Sequence, residues 1–304
     1  MKYLLTSVDG KQSSFQKPVK ISFVSSHDAP ADSLTVVFAV SGSFPVLLSV
    51  EVLSETNERI FFGYVDSQSD RKTNKGILLT VSARSLAGLL LDNEALPQTY
   101  SIVSMSILMD RHFKPLGFHF SGTSPTFYDE MVISKGMSQW AVLSAFCQRF
   151  LGVSPRIDCY GNIDISGKEI DETLCLSSAH CLSLKHTLKR HSLISDIMVR
   201  PASCEGYVMP FHDELAQKCL VKKTRYLNVP DHPSLSPLSA EKIMHDADNR
   251  YEQIIIEFPE CILCTVGSRL SLDSDSKHYI IKEIHYSLDN SGEKTTIYAE
   301  VKYT

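Results

Sequence analysis

The sequence predicts a β-rich α+β fold in which two strand-rich regions flank a small α/β insert. Short runs of Val, Ile, Leu and Phe, separated by turn-forming residues, recur through the first 84 residues and again from residue 156 onward. Between these regions the apolar residues adopt helical spacing instead. The predicted domain boundaries are therefore 1–84, 85–155 and 156–304.

The first region contains five predicted strands. In Val46–Leu53, apolar and polar residues alternate towards the end, as in a half-buried antiparallel strand. The five strands are Val19–Ser25, Leu34–Ala39, Val46–Leu53, Arg59–Val65 and Ile77–Ser82. Short strands at this spacing are typical of a small barrel or sandwich.

The insert contains three predicted helices. Arg84–Leu91 can form two helical turns before a polar segment. Ser104 is the predicted N-cap of a helix over Met105–His112, and Ser138 the predicted N-cap of a helix over Gln139–Leu151. The apolar stripe of this last helix consists of Trp140, Leu143, Cys147 and Phe150, and Gly152 supplies its end.

The third region returns to strand patterns. A hairpin is predicted over Asp158–Ser166, with its turn at Tyr160–Asn162. Ser239 is the predicted cap of a short helix over Ala240–Arg250, and Asn228–Pro237, with three prolines, is a predicted exposed loop. Further strands are predicted over Leu182–Leu188, Leu193–Arg200, Leu220–Leu227, Tyr251–Phe258, His278–Tyr286 and Thr295–Val301.

Composition and charge exclude several classes of protein. The chain is 43% apolar and 21% charged, with a net charge of −5 and no basic stripe, which argues against an electrostatic nucleic-acid binder. The longest tight apolar stretch, Leu86–Leu91, is far shorter than the roughly 20 residues of a membrane span. The first residues lack the apolar core of a secretory signal, so we predict a protein made in a cytoplasm, with eight thiols rather than disulfides.

Motifs for catalysis are absent from the sequence. It has no GxSxG elbow, no HExxH and no phosphate-binding loop. Acidic pairs such as Asp129-Glu130 could in principle serve a glycosidase, but such residues lie mostly on solvated faces and turns. Trp140, the only tryptophan, lies on an apolar helix stripe and is predicted to be core rather than a sugar platform.

A possible metal site begins at Cys261 and Cys264. A zinc site needs further thiolate or imidazole ligands, usually as a second close pair. The candidate partners are Cys175, His180, Cys181 and His186, and His191 completes a histidine-rich segment. The five residues between Cys175 and Cys181 do not match a zinc knuckle, so packing of Cys261 and Cys264 as small apolar residues is favoured. We therefore predict no catalytic, cofactor-binding or metal-binding residue.

Several stretches resemble phage tail baseplate hub proteins. The most specific is Gly63–Asp66 (GYVD) followed by residues 79–95 (LTVSARSLAGLLLDNEA), which resembles the Mu-type tail protein family, especially its versions in prophages of Gram-positive bacteria. Residues 21–39 (ISFVSSHDAPADSLTVVFA) are similar to the opening strands of that family. Residues 135–143 (KGMSQWAVL) are similar to its helix entry, and 282–289 (KEIHYSLD) to its closing strand pair.

This resemblance implies an architecture and a role. Such proteins, like the N-terminal half of VgrG-type spikes, contain two small β-barrel domains separated by an insert. Three chains would place six barrels in a ring, so a homotrimeric hub would join a hexameric tail tube to a trimeric spike and act as a symmetry adaptor. The expected partners are the tube, the spike, other baseplate proteins, and the tape-measure protein or DNA in a central channel. The expected location is the virion tail baseplate, after synthesis in the host cytoplasm.

Two alternatives from other classes remain. A tail-associated cell-wall hydrolase would need a cleft holding a carboxylate or cysteine with a shifted pKa. A peptidoglycan- or carbohydrate-binding module would need exposed aromatic side chains, for which the chain offers 12 Tyr and 14 Phe. A non-catalytic structural subunit is the function that the sequence predicts.

Overall fold

A computed structural model describes residues 1–74, 76–168, 170–201, 204–228, 237–273 and 277–303. The chain divides into two compact units. The first consists of Met1–Lys168 and Ile284–Thr295, and the second of Glu169–Glu283 and Thr296–Thr304. The predicted boundaries at residues 84 and 155 stay a prediction.

The secondary structure is dominated by strands. Eleven of them lie in the first unit: β1 Lys2–Ser7, β2 Gln12–Phe15, β3 Lys20–Ser26, β4 Ser33–Val40, β5 Leu47–Leu53, β6 Arg59–Thr73, β7 Gly76–Ser85, β8 Gln98–Tyr100, β9 Met131–Ile133, β10 Arg156–Ile157 and β11 Ile163–Asp164. Seven lie in the second: β12 Thr173–Leu176, β13 Ser183–Leu188, β14 Asp196–Arg200, β15 Met209–His212, β16 Thr224–Asn228, β17 Glu252–Phe258 and β18 Arg269–Leu272. The last two, β19 Tyr279–Asp289 and β20 Gly292–Val301, contribute residues to both units.

Helices are few and short. In the first unit they are α1 Ala87–Asp92, α2 Met105–Leu108 and α3 Gln139–Phe146; in the second, α4 Glu214–Lys218 and α5 Pro237–Asn249. Both α2 and α3 continue as a single π-helical turn, over Met109–Phe113 and Cys147–Leu151. In the part of the chain that the structure describes, no helix has the length and apolarity needed to span a membrane.

The first unit contains a large sheet in the order β19-β3-β4-β7-β6-β5-β1-β2. All five strands predicted for residues 1–84 are confirmed, with shifted ends, as β3 to β7. The β1–β2 hairpin was not predicted, although Tyr3 and Leu5 of β1 alternate into the core. Strands β6 and β7 are longer than predicted and pair as a hairpin, and β7 begins at Gly76, where φ is 133°.

The helical part of the first unit has its own apolar core. The predicted caps are confirmed: the Ser104 hydroxyl accepts a hydrogen bond from the amide of Ile107, and Ser138 from the amide of Ala141. Gly152, in the left-handed conformation, ends the second of these helices as predicted. Trp140 packs against the core but is only partly buried, whereas the buried apolar residues of its helix and of the π-helical turn that follows are Val142, Leu143, Phe146, Cys147 and Phe150.

The second unit contains two sheets. Its main sheet has the order β13-β17-β20-β19, extended by β18 on β19 and by β12, which runs parallel to β18. A three-stranded sheet of β15, β14 and β16 packs against α5 through Ile197, Val199 and Met244. The predicted strands of this region are confirmed with shifted ends, and α5 begins before its predicted cap. Most of the predicted loop Asn228–Pro237 lies outside the described residues.

The β-rich α+β class is confirmed. Among the described strands, the hydrogen-bonded order does not close into a cylinder in either unit. The arrangement as two small barrels therefore stays a prediction.

Candidate functional site

The most specific motif of the sequence contains an arginine that binds two carboxylates. We call Arg84, Asp66 and Asp92 the arginine clamp. The register shift between Val65 and Ser67 leaves Asp66 as an extra residue in β6, a β-bulge that turns its carboxylate towards β7. Arg84 on β7 donates to Asp66 Oδ2 at 2.7 Å through Nε and to Asp66 Oδ1 at 2.9 Å through Nη2. It also donates to both carboxylate oxygens of Asp92, at 3.1 and 2.6 Å. These hydrogen bonds lower the pKa of Asp92 and tie the end of α1 to the hairpin.

Gly63 in the same motif is required by a close approach of backbones. A Cβ atom at this position would lie 2.2 Å from the carbonyl oxygen of Arg84. The prediction that Arg84 and Ser85 begin a helix is wrong: both end β7. Ser85 instead exchanges hydrogen bonds of 2.9 Å with Asp32, its amide donating to the Asp32 carbonyl and its hydroxyl accepting from the Asp32 amide. The residues of this motif therefore connect β6, β7 and α1 and have a structural role.

A buried histidine organises the helical part of the first unit. His112 Nδ1 lies 3.0 Å from Gln139 Oε1, which can only accept, so Nδ1 carries the proton. Its Nε2 then accepts from the Tyr100 hydroxyl at 3.0 Å and from Gln98 Nε2 at 3.1 Å. Burial lowers the pKa of His112 and keeps the ring neutral. All its hydrogen-bonding capacity is used within the fold.

An open depression lies on the outer face of the first unit's sheet. Its floor includes Val37 and Leu78, and its rim carries Lys20, Arg71 and Asp289. The amide and hydroxyl of Ser291 both donate to Asp289, which lowers the pKa of this carboxyl. Such a carboxyl stays ionised at neutral pH, unlike the general acid of a glycosidase.

The candidate zinc ligands do not come together as a metal site in the described part of the chain. Among the described residues, no group of three or more His, Cys, Asp or Glu side chains is arranged to hold a metal ion. Burial raises the pKa of Cys264 to about 12, with Glu172 and Cys261 adding to the effect, so its thiol is protonated at neutral pH. Cys175 is exposed, and all eight cysteines, which lie within the described residues, are without disulfide bonds.

Asp129, from the acidic pair named in the sequence, and Glu172 have separate structural partners. Asp129 accepts from Arg149 at 2.8 Å. Glu172 accepts from the Ser268 hydroxyl at 3.1 Å. A different carboxyl pair, not predicted from sequence, joins Asp213 to Asp248, whose residues are distant along the chain.

This unpredicted pair has an unusual protonation. Asp213 caps α4 by accepting from the amides of Leu215 and Ala216. Burial, followed by the charge of Asp213 and a hydrogen bond to it, raises the pKa of Asp248 to about 7. Oδ1 of Asp248 is buried without a hydrogen-bond partner among the described residues. Burial and the neighbouring Asp213 thus favour the protonated form of the Asp248 carboxyl.

The second unit presents an edge strand with exposed leucines. In the described sheet β13 pairs with β17 alone. His186 on β13 contacts Glu252 Oε1 of β17 at 2.6 Å, and Lys277 and Tyr303 also bind this buried carboxylate. Burial by itself would raise the pKa of Glu252, but these hydrogen bonds have the larger effect, so the pKa is lowered. The sequence indicated the strand, but not that it lies at the edge of its sheet.

The fold is that of phage and prophage tail proteins. A tail protein from Neisseria meningitidis MC58 superposes with a TM-score of 0.74 at 18% identity, covering 98% of this chain and 96% of that one. The prophage MuSo2 43 kDa tail protein from Shewanella oneidensis gives 0.75 at 15% identity, covering 98% of both chains.

A third similar structure comes from a secretion system. The E. coli c3393 protein gives a TM-score of 0.60 at 10% identity, covering 95% of this chain and 74% of that one. It is described as a type VI secretion component with structural similarity to the bacteriophage T4 tail proteins gp27 and gp5. No protein-family model and no curated protein sequence matches the chain.

Proposed function

We propose that the protein is a structural baseplate hub subunit of a phage or phage-like tail. The observation that carries this proposal is the fold match to two tail proteins across at least 96% of every chain compared. A match over nearly the whole of both chains means that the shared architecture extends through all of this sequence rather than through one widespread domain. Its location would then be the tail baseplate of a virion, after synthesis in the bacterial host cytoplasm.

The hub role is the more detailed part of this proposal. Two small barrels in each of three chains would form a ring of six, matching a hexameric tube on one side and a trimeric spike on the other. The likeness of the secretion component to the T4 tail proteins gp27 and gp5 supports a place in a tail-like assembly. The tape-measure protein or DNA would pass through the channel, and other baseplate proteins would surround it.

The proposed role requires no catalysis and no cofactor. The polar groups with the most distinctive environments serve the fold: Arg84 joins β6, β7 and α1, and His112 joins three segments of the helical core. Cys264, one of the candidate metal ligands, has a protonated thiol at neutral pH. These observations favour a structural role for Arg84, His112 and Cys264.

The test is the solution mass, measured by size-exclusion chromatography with light scattering over a range of protein concentrations. We expect a multiple of three chains of 34.0 kDa, followed by rings with a central pore in electron micrographs. A mass that is not a multiple of three chains at any concentration contradicts the hub ring. Binding to, or clearing of, purified cell walls by such a protein would support the alternatives instead.

A further inference from the structure

The turn after α4 holds an exposed leucine in a left-handed conformation. The amide of Val221 donates to the carbonyl of Ala216 at 2.9 Å and the amide of Leu220 to the carbonyl of Gln217 at 3.0 Å, a helix end that usually carries glycine. The residue in the glycine position is Leu220, with a φ of 54°, and it is 83% exposed. A left-handed conformation is costly for a residue with a Cβ atom, and an exposed side chain adds no packing in return. The fold alone therefore gives no reason for leucine here.

Basic residues from two segments of the second unit surround this leucine. Arg190, in the turn after β13, donates through Nη2 to the carbonyl of Cys219 at 2.6 Å. Lys223 Nζ donates to the carbonyl of His191 at 2.8 Å. These two bonds hold the turn after β13 against the turn after α4. We call the following residues the basic patch: Arg190, Lys218, Leu220, Lys222 and Lys223.

The basic patch carries four cations in a chain whose net charge is −5. Glu214 lies 3.5 Å from Lys218, but both side chains are largely exposed, so this ion pair is weak and leaves the patch positive. Charge complementarity therefore requires an anionic partner. The exposed Leu220 among the cations requires that the same partner also offers an apolar environment.

We propose that the basic patch binds the surface of a lipid bilayer that contains anionic phospholipids. Leu220 enters the apolar layer at the tip of the turn, and the four cations contact the phosphates of the headgroups around it. A bilayer presents negative charge and an apolar phase in this order of depth. The proposal goes beyond the hub role and does not depend on it.

The composition of the patch favours a bilayer over a protein or a nucleic acid. Lysine is depleted from protein–protein interfaces, and leucine is uncommon among the residues that dominate their affinity. Long, flexible lysine side chains suit a fluid layer of phosphates, which demands no fixed geometry. A nucleic acid offers phosphates but no apolar layer for Leu220, and the patch has no aromatic ring on which a base could stack.

The first test measures binding of the whole chain to lipid vesicles by cosedimentation. Each cation near an anionic surface strengthens binding about 5-fold, so vesicles of phosphatidylcholine with about 30% phosphatidylglycerol should bind at least about 100-fold more tightly than phosphatidylcholine alone. Binding should weaken as the salt concentration rises, because salt screens exposed charges. Lys218→Gln with Lys222→Gln should weaken it about 25-fold. Lys17→Gln with Lys168→Gln, at exposed lysines outside the patch, is the matched control and should leave it nearly unchanged.

The decisive variant is Leu220→Gly, because the fold and the binding should respond differently. Glycine relieves the left-handed conformation, so the midpoint of thermal unfolding, followed by circular dichroism, should stay the same or rise. Vesicle binding should weaken about 10-fold, because the apolar side chain is lost. Leu263→Gly, at a leucine that is 52% exposed in the same unit, is the control and should not change vesicle binding.

Three outcomes overturn the proposal. The first is equal binding to the two kinds of vesicle. The second is a Leu220→Gly variant that binds vesicles as well as the wild type or unfolds at a lower temperature, since the leucine then serves the fold. The third is tighter binding to a DNA duplex than to anionic vesicles, unaffected by Leu220→Gly, which identifies a nucleic acid as the partner. None of these readouts depends on the solution mass, so their failure leaves the hub ring untouched.

Discussion

Replacing Gly63 by alanine tests whether the close approach of β6 and β7 is essential. The added Cβ would lie 2.2 Å from the Arg84 carbonyl oxygen and 2.8 Å from Phe61 Cζ. Ordinary contact begins at 3.4 Å, so the Arg84 backbone would have to move by about 1 Å. Overpacking of this kind costs about 1–3 kcal/mol. The backbone shift also weakens the Arg84 hydrogen bonds, so we expect a loss of about 3 kcal/mol or more in the free energy of unfolding.

The assay is urea unfolding followed by the emission of Trp140, the only tryptophan, which packs in the first unit. Gly42→Ala is the matched control, because a Cβ there meets no atom within 4 Å and the backbone is not left-handed. We expect the control to change the stability by less than about 1 kcal/mol, in the stabilising direction. If Gly63→Ala loses less than about 1 kcal/mol, the proposed role of this backbone contact is wrong.

Three further predictions concern charged and titratable groups. Arg84→Lys loses the two-pronged hydrogen bonds, which should destabilise the first unit by about 1–2 kcal/mol and raise the pKa of Asp92 towards its usual value in an NMR titration. His112 has a lowered pKa in the folded protein, so its contribution to stability is present above about pH 6.5, the unfolded value, and is lost as the pH falls below it. Asp248 has a raised pKa of about 7, so the stability of the second unit should fall as the pH rises from about 4 to 7. Asp248→Asn, whose amide can still donate to Asp213, should increase the free energy of unfolding by about 1–3 kcal/mol at pH 8.

Each of these has an outcome that would contradict it. An unchanged Asp92 titration in Arg84→Lys would mean that the clamp does not control this carboxyl. A first unit that keeps its full stability at pH 5, as followed by Trp140 emission, would contradict the neutral state of His112. A loss of stability in Asp248→Asn at pH 8 would show that the ionised Asp248 carboxyl does not destabilise the second unit.

The sequence alone determined the class of fold and most of its elements. Apolar residues with a period of two mark strands such as Leu47–Leu53, because alternate side chains enter the core. Ser104 and Ser138 mark helix starts, because a hydroxyl there satisfies an amide left over at the helix end. These signals come from residues that are close together along the chain, so the sequence reveals them without any tertiary contact. The resemblance to tail proteins through GYVD and the following segment also agrees with the fold.

Only the tertiary structure decided which residues meet. Arg84 looked like a helix start but lies in a strand, because the long pairing of β6 and β7 overrides the local helical pattern. The contacts of His112 with Gln139 and of Asp248 with Asp213 join residues 27 and 35 positions apart, which no spacing in the sequence indicates. Whether β13 is an interior or an edge strand depends on its neighbours in the sheet, and its own residues are compatible with both. Contacts between distant residues are set by packing, so only the folded chain reveals them.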